Sequence, residues 1–415
     1  MKTVFPGKVS GCVSAPPSKS MAQRAIALAT IIKGESAISM GAPCDDIRSA
    51  MNAAVALGAM ITVQSDRVLV NGMCHPRASQ VNCGEAGLSL RMFSAIAALY
   101  DSPHILLSEG SLSKRPVDMI IAPLTALGAT CTAPHGLPPV SICGPITGGH
   151  VEVDGTTSSQ FLTGLLIALT KCPGDSTIFA PGLKSKPYVQ MTLDLLRHVG
   201  ANVEARDDLE FFRIAGKCSF LPFDYRVPGD WSGASFPLVA GACAGSVTVS
   251  GLNSESSQAD RAILNALRAA GAIVSIDNNS VTVEKRALVA FDFDATHCPD
   301  LFPPLVALAA CANGVSRIAG VHRLATKESN RERALKDEFS KLGIAVDVQG
   351  DTMQITGGII NGGKVFSHGD HRIAMAAGVA ALSSTGAVEI DGSACITKSY
   401  PNFFTDLISI GANVT

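Results

Sequence analysis

The stretch Ala126-Leu-Gly-Ala-Thr-Cys-Thr-Ala133 reads as the last turn of a helix, a glycine stop and the start of a strand. Glycine ends a helix in the left-handed conformation without a Cβ penalty. The same phrase occurs five more times: ALGAMITV at 56–63, HVGANVEA at 198–205, AAGAIVSI at 269–276, KLGIAVDV at 341–348 and SIGANVT at 409–415. The glycines are Gly58, Gly128, Gly200, Gly271, Gly343 and Gly411, at intervals of 70, 72, 71, 72 and 68 residues. A fixed period of that length marks a chain made of repeated supersecondary units.

A second series keeps the same period. Ala-rich amphipathic helices are predicted to begin near Met21, Leu88, Gln160, Gly233, Pro303 and Arg372. Each is followed by a short strand: ESAISM, HILLSEG, STIFAPG, SVTVSG, VSRIAG and AVEIDG. Each unit therefore reads helix, strand, helix, strand, with further strand before the next, which is an α/β class. At 415 residues the chain is long for one domain. Hydrophobic residues are 47% against 16% charged, which excludes a disordered chain, and the 5% of aromatics leaves the core to Ala, Val, Leu and Ile.

Net charge is -2 and no basic tract occurs, so nucleic-acid binding by bulk charge is excluded. No apolar run approaches the roughly 20 residues that span a bilayer, and Met1–Pro6 carries no apolar leader, so a cytoplasmic location is expected. The 12 cysteines contain no C-x-x-C pair and are expected to be free thiols in a reducing compartment.

The charges fall at two recurrent places. The Ala-rich helices open on Ser18-Lys19-Ser20 with Arg24, Glu85-Ala86-Gly87 with Arg91, Ser158-Ser159-Gln160, Asp230 with Ser232, Asp300, and Asp370-His371-Arg372. Helix N-termini suit anions, while Asp230 and Asp370 are better read as N-caps. The loops before the Gly-terminated helices carry Lys114-Arg115, Ser185-Lys186-Pro187-Tyr188, Asp260-Arg261, Lys327-Glu328 with Arg331, and Lys398. A lone basic residue is usually a solvated charge. Recurrence at equivalent points of equivalent units implies convergence on a small, multiply anionic ligand. A non-catalytic repeat protein that binds a phosphorylated metabolite is the alternative from another class. Gly358–Lys364 fits most of a phosphate-binding loop but lacks the following Ser or Thr, and is read as a hairpin turn. His368 and His371 lack a third ligand, so no metal site is expected.

PSKSMAQRA, GEAGLSLR, SKRP, VDGTTSSQFLTGLL, KSKPY, Pro299-Asp300, TKESNR, GDHRIAMA and TKSYPNFF occur in this order across nearly the whole chain. Together they resemble the 5-enolpyruvylshikimate-3-phosphate synthase family. The resemblance implies a two-lobed inside-out α/β barrel of six repeated βαβαββ units, three per lobe. It places residues 18–228 in a lobe with most shikimate 3-phosphate contacts. Residues 1–17 and 229–415 would form the second, discontinuous lobe, carrying Asp300, Glu328 and the basic residues for phosphoenolpyruvate. The relatives that use UDP-N-acetylglucosamine are the second reading. They have Asn after the amino-terminal Lys and a reactive Cys in a Gly-rich loop, where this chain has Ser20 and Leu112-Ser-Lys-Arg115-Pro.

The implied reaction moves the enolpyruvyl group of phosphoenolpyruvate to the 5-hydroxyl of shikimate 3-phosphate by addition and elimination, in aromatic amino-acid biosynthesis. It needs no metal and no cofactor. By motif, Asp300 is the base, Glu328 the acid, and Lys19 assists. Shikimate 3-phosphate falls to Lys19, Ser20, Arg24, Ser158, Ser159, Gln160, Ser185, Tyr188, Asp300 and Lys327. Phosphoenolpyruvate falls to Lys19, Gly87, Arg115, Gln160, Arg331, His371, Arg372 and Lys398, the subsite that the herbicide glyphosate takes in this family. A monomer is expected. Five positions depart from the common pattern: Glu85 and Leu88 in place of Asn and Thr, Met92 in place of Pro, Asn330 in place of Asp, and Arg323 where some members have Asn.

Overall fold

The computed structural model describes residues 1–72, 75–156 and 158–415; Cys74, and Thr157 of the VDGTTSSQFLTGLL motif, lie outside them. Two compact units are present: Lys19–Val227, and Met1–Ser18 with Pro228–Thr415. Each holds three small sheets.

The repeat is plainest at Gln80–Cys143. Strand Gln80–Asn82 runs parallel to His104–Leu107, and helix Gly87–Ala97 makes the crossover. Helix Ile121–Ala126 then leads to Thr130–Thr132 and back along Val140–Cys143, which lies antiparallel beside His104–Leu107. That order is βαβαββ, and it recurs from His150 to Ile214 and from Asp292 to Gly357. All six glycines of the period sit just past a helix at positive φ: +105° at Gly58, +102° at Gly128, +78° at Gly200, +88° at Gly271, +80° at Gly343 and +100° at Gly411. This is the conformation that halts the helix and turns the chain into the next strand.

Two repeats take their first strand from elsewhere in the sequence. Val9–Ser14 pairs parallel with Gly245–Ser250, and Asp224–Arg226 pairs parallel with Gly34–Ser39. The chain therefore passes from one unit to the other twice. On the Met1–Ser18 and Pro228–Thr415 side the two passages are bonded together: Ser18 N donates to Pro228 O at 2.8 Å, and Asp230 N to Pro16 O at 2.8 Å. The sixth repeat lacks its own closing strands. Lys2–Val4 lies antiparallel on Val388–Asp391 instead, and Val4 bridges Val414. Gly358–Lys364 is not a hairpin. Thr352–Gly357 belongs to one sheet and Gly363–Phe366 to the next, and the glycines let the connection run against backbone: a methyl on Gly362 would stand 2.8 Å from Ala387 O.

Each unit is built on three inner helices. Lys19–Thr30, Gly87–Ala97 and Ser159–Leu169 serve one; Trp231–Ala244, Phe302–Ala310 and His371–Ala381 serve the other. They are buried almost throughout rather than on one face as the amphipathic reading expected, because each is enclosed on every side. Small residues set their spacing. A methyl on Gly164 would meet Met92 O at 2.5 Å, so only glycine lets those two helices come so close. Because the inner helices are enclosed laterally, their polar first turns are the parts left to meet a ligand. Among the described residues, no helix is long and apolar enough to cross a membrane.

Candidate active site

In the unit Lys19–Val227, the three inner helices open on Lys19-Ser20, on Gly87, and on Ser159-Gln160 behind the N-cap Ser158. Ser158 Oγ accepts from Gln160 N at 3.2 Å, which satisfies one of the bare N–H groups of that first turn. Lys19 Nζ donates to Asp46 Oδ2 at 2.7 Å, so the ammonium is held by the first turn of helix Asp45–Ala56. Ser89 Oγ donates to buried Gln23 at 2.8 Å and ties the first two inner helices together. Arg91 Nη1 donates to Gln160 Oε1 at 2.9 Å and ties the second to the third.

Arg24 is 1% exposed. Its Nε donates to Thr192 Oγ1 at 3.0 Å, Nη1 to Ser20 O at 2.8 Å, and Nη2 to Tyr188 O at 3.0 Å. All these acceptors are neutral, and among the described residues no carboxylate forms an ion pair with it. Burial pulls its pKa down to about 10. Arg24 thus fixes the loop Ser185–Tyr188 and leaves a buried positive charge behind the helix start. Ser185, 5% exposed, stands at φ +56°, a left-handed conformation that L-residues adopt at a cost.

Gly87 is the meeting point of two guanidinium groups. A Cβ there would lie 2.9 Å from Arg115 Nη1 and 3.0 Å from Arg91 Nη1. Arg91 Nη2 also donates to Pro116 O at 2.8 Å, so it fixes the chain next to Arg115.

In the unit Met1–Ser18 with Pro228–Thr415, the polar residues form one ionic cluster. Arg331 has no exposed side-chain surface and bonds three carboxylates: Asp300 Oδ1 at 2.7 Å, Glu328 Oε2 at 2.6 Å and Asp370 Oδ2 at 2.8 Å. Lys327 Nζ reaches Asp300 Oδ1 at 3.2 Å, and Arg372 Nη2 reaches Asp300 Oδ2 at 3.4 Å. Burial works against the Arg331 charge, yet the three carboxylates hold its pKa well above the ordinary value. Burial lowers the Lys327 pKa, and Asp300 only partly offsets this. Asp260, 3% exposed, is pushed up to about 6 by burial and then by Asp300, with Arg372 opposing. Asp230 and Asp370 do cap their helices, accepting from Ser232 N at 3.3 Å and Arg372 N at 3.0 Å. His371 is fully buried, with Nδ1 3.8 Å from Asp370 Oδ1. Lys398 Nζ donates to Gly369 O at 3.1 Å, at the foot of the same helix.

The sequence model of the family described as EPSP synthase (3-phosphoshikimate 1-carboxyvinyltransferase) matches residues 5–407. The chain belongs to the EPSP synthase family. It is 40% identical to the 3-phosphoshikimate 1-carboxyvinyltransferase of Methanocella arvoryzae and 37% identical to that of Methanocorpusculum labreanum, in both cases over 98% of this chain and 97% of the relative. A solved EPSP synthase from Acinetobacter baumannii superposes with a TM-score of 0.83 at 25% identity, covering 100% of this chain and 99% of that one. The enolpyruvyl transferase NikO of Streptomyces tendae shares the fold, with a TM-score of 0.79 at 19% identity over 100% of this chain and 98% of that one. The two-lobed fold expected from the motifs is therefore that of the EPSP synthase family.

Within this EPSP synthase family member, two residues of the site carry no role in the motif-based assignment. Asp46 holds Lys19, yet an acid in the first turn of a helix looks like an ordinary dipole partner. Arg91 was visible beside Gly87, but its link to Gln160 and Pro116 O depends on loops distant in sequence. His368 Nε2 is 2.7 Å from Glu338 Oε1, a carboxylate that also accepts from Phe366 N.

Proposed function

We propose that the chain transfers the enolpyruvyl group of phosphoenolpyruvate to the 5-hydroxyl of shikimate 3-phosphate and releases phosphate, a step in the shikimate pathway toward aromatic amino acids. The observation that carries the chemistry is the joining of Asp300 and Glu328 by the one buried Arg331, at 2.7 and 2.6 Å, with Lys327 and Arg372 on Asp300. Two carboxylates set among fixed cations are what an addition–elimination needs. One removes a proton from the attacking hydroxyl and the other delivers a proton to carbon. The cations steady the carboxylate and phosphate of the transferring group.

In this assignment Asp300 takes the proton of the 5-hydroxyl as it attacks C2 of phosphoenolpyruvate. Glu328 protonates C3, giving a tetrahedral intermediate. The Glu328 carboxylate then takes a proton back from C3 as the C2–O bond to phosphate breaks; phosphate leaves with the proton that Asp300 holds, and the C2–C3 double bond is regenerated. Lys19, Ser20, Ser158, Ser159, Gln160, Ser185, Tyr188 and Lys327 hold shikimate 3-phosphate. Arg24 is assigned to the same substrate: four of its N–H groups meet protein acceptors, and a guanidinium has five. The buried charge of Arg24 is offset by a doubly anionic phosphate ester, which favours such a substrate. Gly87, Arg115, Gln160, Arg331, His371, Arg372 and Lys398 serve phosphoenolpyruvate, Arg372 and Arg331 as lasting cations. The UDP-N-acetylglucosamine alternative requires a reactive thiol. Cys83, the thiol near Gly87, is buried and pushed up to about 12, which leaves it inert. Eleven described cysteines are free thiols, which suits a cytoplasmic enzyme, and we take it as a monomer.

The test is isothermal titration with shikimate 3-phosphate, followed by phosphate release on adding phosphoenolpyruvate. Binding of shikimate 3-phosphate with subsequent release supports the assignment; release that needs no shikimate 3-phosphate refutes it.

A further inference from the structure

Arg115 sits at the end of a segment that would swing if nothing pinned it. The turn Gly110–Lys114 is a short 3-10 helix on the surface, and Arg115 follows it with its N bonded to Leu112 O at 3.0 Å. Downstream, Pro116 O is held by Arg91 at 2.8 Å. Upstream the pin is Glu85. Its Oε2 accepts from Ser111 N at 3.2 Å and lies 3.4 Å from Ser111 Oγ. The carboxylate fills the space over Gly110, which stands at φ +52°; a methyl on Gly110 would overlap it. Neighbouring bonds join the same two loops: Glu109 N donates to Gly84 O at 2.8 Å, and Asn82 Nδ2 to Glu109 Oε1 at 2.8 Å. Glu85 is two residues before Gly87, against which Arg115 Nη1 rests. A closed circuit results: Glu85 to Ser111, along the turn to Arg115, across to Gly87, and back along the chain to Glu85.

We propose that Glu85 is a positioning residue that sets the approach of Arg115 to Gly87, and thereby the affinity for phosphoenolpyruvate. This rests on the assignment of phosphoenolpyruvate to Gly87 and Arg115. Glu85 need not touch the substrate. Its carboxylate, a strong acceptor, fixes where the turn begins, and the turn fixes where the guanidinium ends. A cation displaced by a fraction of an ångström loses its planar match to a carboxylate or phosphate.

The geometry gives two independent ways to break the pin. Glu85→Ala removes the carboxylate. Gly110→Ala leaves Glu85 in the sequence but takes its place over the turn. Each is expected to raise KM for phosphoenolpyruvate about tenfold while the Kd for shikimate 3-phosphate stays within about twofold. Combined, the two are expected to raise it no further than either alone, because both break one contact. Glu85→Gln keeps an acceptor for Ser111 N and is expected to recover most of the affinity. Unchanged KM for phosphoenolpyruvate in Glu85→Ala overturns the proposal, as do effects of the two single variants that multiply. A parallel loss of shikimate 3-phosphate affinity and of unfolding temperature also overturns it, by showing general damage. If the unaltered chain releases no phosphate from the two substrates, the assigned reaction fails rather than the role of Glu85.

Discussion

Arg331 and Asp370 form an ion pair at 2.8 Å in which neither side chain has any exposed surface. Asp370 does a second task from the same position, capping helix His371–Ala381 through Arg372 N at 3.0 Å. One carboxylate thus sets both the guanidinium that joins Asp300 to Glu328 and the start of the helix that carries His371 and Arg372.

Removing that carboxylate strands a buried cation and uncaps a helix. Asp370→Ala is expected to cost about 3–5 kcal/mol of stability, the usual penalty for breaking a buried pair. Asp370→Asn keeps an oxygen for Arg372 N and is expected to cost less. Urea unfolding of both variants checks this; equal stability of all three proteins would show that Asp370 is not central to the cluster.

Asp300→Asn and Glu328→Gln preserve shape and at least part of the bonding to Arg331 but remove proton transfer. Each is expected to lower kcat by about 10²–10⁴-fold with much smaller changes in KM. Steady-state kinetics decide. Wild-type turnover in either variant removes that residue from its assigned role.

Ser185 is held at φ +56° at the start of helix Lys186–His198. Ser185→Gly relieves that conformation and is expected to add about 1 kcal/mol of stability while weakening shikimate 3-phosphate, because the hydroxyl is lost. Paired melting curves and substrate titrations would show it. A variant that is both less stable and unchanged in affinity would contradict the assignment.

Asp260 gives a pH dependence of opposite sign to the usual carboxylate. Its folded pKa is raised to about 6, above the ordinary value of 3.8, so the folded protein binds the proton more tightly than the unfolded chain. Its ionisation therefore drains stability as pH rises from about 4 to about 6, by about 2–3 kcal/mol in all. Below about pH 3 the group is neutral in both states and the effect vanishes. Asp260→Asn is expected to be more stable than the unaltered chain at pH 7 and to lose that advantage progressively as pH falls to about 3. Denaturant midpoints across that range test it, and a constant difference at every pH would refute it.

The repeat was legible because each unit ends a helix on a glycine whose positive φ no other residue adopts as cheaply. The positions of the inner helices were legible in their Ala-rich runs, but their enclosure on all sides was not, since the polar residues of their first turns made them look amphipathic. Pairing between Val9–Ser14 and Gly245–Ser250 was not, since two strands more than 200 residues apart share no local signal. Gly358–Lys364 misled for the same reason: a glycine-rich turn after a strand looks like a hairpin until the next strand is seen to join another sheet. At the site, charged residues could be seen but their partners could not. Asp46 and Glu85 are ordinary acids in sequence, and only the fold puts one on Lys19 and the other on the turn before Arg115. Asp260 showed as a charge, while the burial that raises its pKa belongs to the packed structure.

The central claim is most directly tested by phosphorus NMR of the purified chain with phosphoenolpyruvate and, in separate tubes, shikimate 3-phosphate or UDP-N-acetylglucosamine. Enolpyruvyl transfer to shikimate 3-phosphate predicts equal loss of both substrates, growth of the inorganic phosphate signal and a new phosphate ester in the first tube, with no change in the second. Phosphate release in the second tube alone, or in neither, would contradict it.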